Sequence, residues 1–266
     1  MKLNESGFRI TAPATASLAL AAALLATTSS MAQADGITIT PGIEVLSLGF
    51  FASQGTGSSV ENYFPDYGVN TAIRYTISAA SDAGLGVRLR YFEFDETEPH
   101  FGTDRRAVFE MLDAEAFFPV FTGDSSSAEA FIGVRSGNIE LSGADFGGVD
   151  PYQFEGTGLT LGASFAHQIN NNFGLNFGGR YSIMAGDATF TPVSTNVLSN
   201  TIVQTFDLFA GVEYMRSFRG ADLRAHFGYE VQFYGTDSVY FPFAIDPETI
   251  GDTGLMGLTL GLNVSF

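Results

Sequence analysis

The chemically capable residues of this chain are ionic, and they are spread rather than clustered. Six arginines, Arg74, Arg88, Arg90, Arg135, Arg180 and Arg224, alternate with apolar neighbours, and so do six carboxylates, Asp113, Glu115, Glu129, Asp207, Glu213 and Glu230. His226 sits among them in "ADLRAHFGYEVQFYG". An isolated charge in a confined space costs on the order of several kcal/mol, so each of these groups needs a partner or water. Brought around one enclosed space, matched rows of arginine and carboxylate have two outcomes. They set up a transverse field through which small ions pass, or they cross-link and plug the space.

Other chemistries find less support. His100, His167 and His226 share no metal-ligand spacing, and no G-x-S-x-G stretch marks a nucleophile. The acidic stretches "FDETEPHFGTD", "SGADFGGVD" and "DPETIGDTG" do not follow the twelve-residue calcium loop and read as solvated connections. The expectation is therefore no catalytic residue, no metal and no cofactor.

The elements that must hold these side chains are strands. From residue 40 onward apolar residues recur with period 2, in segments of about ten residues broken by polar, glycine-rich stretches. Ten strands are expected, with eight to twelve compatible, at 43–52, 69–79, 86–94, 107–118, 127–137, 156–168, 172–186, 203–216, 222–234 and 254–266. The first breaks its alternation once, which suggests a bulge. Connections alternate between long and short, as in an up-and-down antiparallel barrel with short periplasmic turns and long extracellular loops.

Alternation alone does not say which face is inside. The strands exceed sandwich length, and their polar faces combine charges with Gly, Ser, Thr and Asn. In 222–234 one face is Leu223, Ala225, Phe227, Tyr229, Val231 and Phe233, and the other carries Arg224, His226, Glu230 and Gln232. A transmembrane barrel with apolar residues outward and the ionic set lining the lumen fits this pattern. Aromatics near the strand ends, among them Phe50, Phe92, Phe117, Phe154, Phe165 and Phe218, then read as interfacial girdles. Parity around "SFRGA" predicts Arg216 opposite Ala221, and so Glu213 directly across from Arg224.

Residues 1–34 read as a signal peptide: Lys2 and Arg9 precede the apolar run "ASLALAAALLA", and Ala32, Gln33 and Ala34 form a small-x-small cleavage pattern. The barrel domain is expected over 35–266. Removing two cations and one acid takes the formal charge from -17 to -18 and leaves no lysine. Such a chain repels phosphate backbones, which excludes nucleic acid as a partner. It contains no cysteine, so neither disulfides nor thiolate metal sites are available.

The stretches "GVRLRYFEFDE", "FEMLDAEAFFP", "AFIGVRSG", "FEGTGLTLGASF" and "VEY" together resemble the Legionella-type major outer membrane protein family of pore-forming barrels. The resemblance covers most of 40–266. It implies an outer-membrane location and a porin-like pore for small ions or solutes, with lipid, lipopolysaccharide and the outer-membrane assembly machinery as partners. Acidic loops would add a modest cation preference. A homo-oligomer is compatible with this reading, although nothing in the chain specifies one. A non-conducting structural or adhesive barrel, or an outer-membrane barrel hydrolase, remains the alternative.

The last strand, "GLMGLTLGLNVSF", alternates to its final residue, and Phe266 resembles the terminal assembly signal of such barrels. Deleting Phe266 is expected to lower membrane insertion far more than strand content in detergent. Quantifying heat-modifiable protein in outer-membrane fractions beside circular dichroism of the refolded variant checks this.

Overall fold

The computed structural model describes residues 36–52, 66–100, 103–142, 152–190, 196–218, 220–235 and 252–266. The signal peptide expected over 1–34 and much of the long connections, including the acidic stretches around 143–150 and 246–251, lie outside the described residues.

Ten antiparallel strands close into a barrel: β1 (Ile37–Ala52), β2 (Val69–Ser81), β3 (Gly86–His100), β4 (Thr103–Thr122), β5 (Ser126–Ser142), β6 (Tyr152–Gln168), β7 (Phe173–Phe190), β8 (Asn196–Phe218), β9 (Ala221–Gly235) and β10 (Thr253–Ser265). Each strand pairs with its chain neighbours, and β1 pairs with β10. The terminus is held on both sides: Phe266 and Ile39 exchange backbone hydrogen bonds at 3.1 and 3.3 Å, and Ser265 lies opposite Asp222 of β9. Closure satisfies the backbone groups that an edge strand would leave open, a requirement in hydrocarbon.

Several strands outrun their expected limits on the side of the long connections. Residues 95–100 and 103–106 continue β3 and β4 rather than forming a loop, and β8 begins at Asn196. Charge hides these extensions: "DETEP" has the composition of a loop, yet Asp95 is paired by Arg106 across the β3–β4 ladder. The bulge expected in β1 is absent. Register shifts occur instead in β4 between Pro119 and Phe121 and in β7 between Gly186 and Ala188. A bulge accommodates the proline, which has no N–H to give the ladder.

The outer wall is apolar. Val45, Leu89, Ile132, Leu159, Phe177, Leu208, Phe227 and Leu260 are among the large hydrophobic side chains exposed around the ring. A belt of this extent on every strand is stable only against lipid. The lumen holds two layers. Toward the long connections it is filled by Leu46, Leu48, Phe94, Phe109, Ile139, Phe154 and Met184, all buried. Toward the short turns it is ionic.

The apolar layer corrects the assignment of several aromatics. Phe50, Phe92, Phe117 and Phe154 point into the lumen and are buried, whereas Phe165 and Phe218 are exposed on the outside. At the upper ends of β3 and β6 the polarity inverts, with Glu93, Asp95, Gln153 and Glu155 outward and the aromatics inward, whereas Phe117 lies toward the short turns under the Arg88 guanidinium.

Glycines make room for the filling. A Cβ at Gly158 would lie 2.6 Å from the Met184 Cα and closer still to the Ile183 carbonyl, whereas one at Gly178 would meet nothing nearer than 3.6 Å. Gly158→Ala should therefore destabilise the barrel by about 1–3 kcal/mol through overpacking, and Gly178→Ala should be tolerated. Urea unfolding midpoints of the two refolded variants give the comparison.

Candidate functional site

The ionic layer is assembled from eight strands, all but β6 and β10. Register places Arg90 of β3 opposite Asp113 of β4, and Asp113 opposite Arg135 of β5. Arg90 donates from Nε to Asp113 at 3.0 Å, and from Nη2 to Asp207 of β8 at 3.1 Å. Strands β3 and β8 face one another across the ring, so this arginine spans the lumen.

Arg135 donates to both Asp113 oxygens at 2.6 and 3.2 Å, to Asp207 at 2.8 Å and to the Thr205 hydroxyl at 2.7 Å. Arg180 of β7 donates to Glu115 of β4 at 2.6 and 2.8 Å and reaches Asp207 at 3.5 Å. Two aspartates therefore sit under three guanidinium groups, and Glu115 supplies a third carboxylate. Arg135 and Asp113 are each 1% exposed. At that burial an unpaired charge is prohibitive, which explains why each guanidinium fork is used on more than one acceptor.

A second cluster lies beside the first. Arg74 of β2 donates to Glu44 of β1 at 2.7 Å and pairs with Glu230 of β9 through both terminal nitrogens, one of them at 2.8 Å. Glu230 also accepts from Gln232, which in turn accepts from the Tyr234 hydroxyl at 2.6 Å, so the polar chain runs up into the apolar layer. Toward the short turns Arg88 bridges Glu115 at 2.8 Å and Glu129 at 3.1 Å. Its guanidinium lies over Phe117 and Phe131, and Arg180 lies 4.8 Å from the Phe131 centroid. These aromatic faces add cation–π attraction where water is scarce.

All thirteen lumen residues named from the sequence lie on inward-facing positions, but they are not equivalent. Arg74, Arg90, Asp113, Glu115, Arg135, Arg180, Asp207 and Glu230 form the buried layer, with Arg88 and Glu129 at its lower edge. Glu213, Arg224 and His226 lie nearer the turns. Arg224 is 55% exposed at its side chain and only 3.9 Å from Glu213. The expected β8–β9 register is displaced by two residues: Phe218, not Arg216, is opposite Ala221, so Glu213 faces His226 and Arg224 is its diagonal neighbour. The turn is tighter than expected because Gly220 adopts a positive φ of 83°, which leaves room for a shorter connection.

Sequence reading missed Glu44. It shares its face with Leu46, Leu48 and Phe50, which makes that face look lipid-directed. Arg74 lies directly opposite it on β2, and its other partner, His226 (3.8 Å), is on β9, which only closure through β10 brings near. His167, by contrast, lies at the short-turn end of β6, its Nδ1 within 2.8 Å of the Ser126 hydroxyl.

A closed all-β barrel with an apolar exterior and an ionic interior defines the class of outer-membrane β-barrels. Residues 55–266 match the family described as Legionella pneumophila major outer membrane protein precursor. The chain belongs to that family, and its location is the outer membrane. No curated protein matches it. Among solved structures it is similar to the translocator domain of autotransporter NalP from Neisseria meningitidis, at 14% identity and a TM-score of 0.45 over 94% of this chain and 96% of that one. The beta domain of the Bordetella autotransporter Brka gives 10% and 0.45 over 87% and 99%. The Pseudomonas putida toluene transporter TodX gives 11% and 0.34 over 92% and 93%.

Breaking the layer at its centre should be costly. Arg135→Met leaves two aspartates short of a buried partner and is expected to destabilise the folded barrel by about 3–5 kcal/mol. Arg224→Met, at a largely hydrated site, should change stability by less than about 0.5 kcal/mol. Denaturant titrations followed by heat-modifiability on gels measure both.

Proposed function

We propose that this protein is a narrow porin-type pore, held shut to solutes at rest by the transverse charge layer and passing small ions when that layer loosens. The observation that carries the reading is the bridge from Arg90 to Asp113 on one wall and Asp207 on the opposite wall. Such a layer is a constriction whose opening needs side chains to exchange partners for water, with no change in the ladders of the wall. The reading is non-enzymatic.

A modest cation preference follows from the charge count. Among the described residues of the layer and the space below it, six arginines meet seven carboxylates once Glu44 is included. Field at a narrow constriction is screened less than field at an exposed mouth, where the Debye length is about 10 Å at 0.1 M salt. Selectivity set here should persist as ionic strength rises.

Single-channel recording in planar bilayers under a KCl gradient tests the proposal. The parent should show small, infrequent openings with a reversal potential on the cation side. Arg90→Ser combined with Arg135→Ser removes two bridges and two positive charges, so conductance should rise several-fold and cation preference should increase. Anion preference would reject the selectivity argument, and silence from both proteins would favour a structural barrel.

A further inference from the structure

A concavity in the wall opens toward lipid rather than toward the lumen. It measures about 130 Å³ and lies on the outer surface of β10, β1, β2, β3 and β4, so it straddles the closing pair. Ile77, Leu89, Leu112 and Leu262 form its sides, all from the outward face of the apolar belt. Pro41 shares the outward face of β1 with Ile43 and Val45, yet it is buried, which marks the bottom of the depression. The closing ladder thins at this point: β1 pairs with β10 as far as Gly42 opposite Asn263, and proline has no N–H to continue the ladder before Ile39 meets Phe266.

The groove has an apolar end and a polar end. Ile77 and Leu89 lie toward the short turns, whereas Tyr75 and Tyr91, directly opposite each other on β2 and β3, lie toward the long connections. Tyr91 donates to Glu93 at 3.3 Å, so its hydroxyl is satisfied. The Tyr75 hydroxyl is buried and has no hydrogen-bond partner. A buried donor in apolar surroundings calls for an acceptor, and the chain supplies none here.

On β3 the outward face turns from Leu89 and Tyr91 to Glu93 and Asp95, so the upper edge of the hydrocarbon crosses this sector at the two tyrosines. A molecule filling the groove therefore keeps its apolar part below that level, an acceptor at it and its head on the side of the long connections. The size is suitable, since apolar cavities of about 150 Å³ stay dry and take small hydrocarbon groups.

We propose that the groove is a binding site for lipopolysaccharide. One acyl chain of the lipid A anchor lies against Leu89 and Leu262 over Pro41, and the ester or amide carbonyl at the head of that chain accepts a hydrogen bond from Tyr75. Glu93 and Glu110, opposite each other just above, face the phosphorylated sugars, and divalent cations, which take oxygen ligands, join carboxylate to phosphate there. The site does not depend on the ionic conduction proposed above, because it lies on the outside of the wall.

The test uses the refolded barrel in a mild detergent with magnesium present, purified lipid A as the probe and native mass spectrometry to count bound molecules. The parent should hold one lipid A more tightly than any further ones. Tyr75→Phe keeps the ring and removes only the hydroxyl, and it should weaken that first molecule about 3- to 10-fold. Ile77→Trp combined with Leu89→Trp fills the groove and should abolish the tight site. Leu208→Trp, exposed on the outward face of β8 away from the groove, should leave it intact. Heat-modifiability confirms the folding of each variant.

A parent without a tight first molecule overturns the proposal, and so does equal affinity in the parent and the groove-filled variant. Unchanged affinity in Tyr75→Phe removes the carbonyl contact and with it the assigned orientation. Phosphatidylethanolamine is the competing probe: if it binds as tightly and with the same dependence on Tyr75, the groove is a phospholipid site and the assignment to lipopolysaccharide fails.

Discussion

Closure of ten strands is the constraint on which the rest of this molecule depends. It joins β1 to β10, leaves the backbone of the apolar belt paired within the wall, and sets a lumen narrow enough for an arginine on β3 to reach a carboxylate on β8. In a wider barrel the same side chains would face water and screen one another individually. Here they meet, and because they meet they are dehydrated. Pairing stops being optional at that point, since a buried charge without a partner costs more than the pair returns.

The two layers of the lumen divide the physical work. The apolar layer, from Leu46 and Phe94 to Met184, is packed by dispersion and burial and has no directional demand. The charge layer is directional: Asp207 accepts from Arg90, Arg135 and Arg180, each from a different strand. It therefore ties together strands that share no ladder. Glycines such as Gly158 leave room for the backbone of the neighbouring strand. Together the layers join the strands across the lumen as well as around the wall.

Family membership and location agree with this physics, and the geometry narrows what the barrel can do. A wide general pore would leave its lumen charges hydrated, whereas Arg135 and Asp113 are almost wholly buried. The axis is consequently crossed by buried ion pairs rather than by an open, hydrated channel. Within the layer and the space below it, Glu44 brings the described carboxylates to one more than the arginines.

Alternation in the sequence was sufficient for the strand count, the antiparallel order and the inward placement of residues such as Arg180, Asp207 and Glu230, because period 2 is a local property of the chain. It was also sufficient to separate the ionic face from the lipid face in β9 and β10, where one face is plainly apolar and the other is not. It failed where the polarity of a face changes along a strand: Glu44 was lost among Leu46 and Leu48, and Phe92 and Phe154, whose outward neighbours Glu93, Gln153 and Glu155 are polar, were assigned to the girdle. The pairing of Arg90 with Asp207 and the place of Asp113 between two arginines were decided only by the tertiary structure. The first needs ring closure, a distance across the barrel, and the second needs the registers of β3, β4 and β5, which the loop-like composition of residues 95–106 conceals.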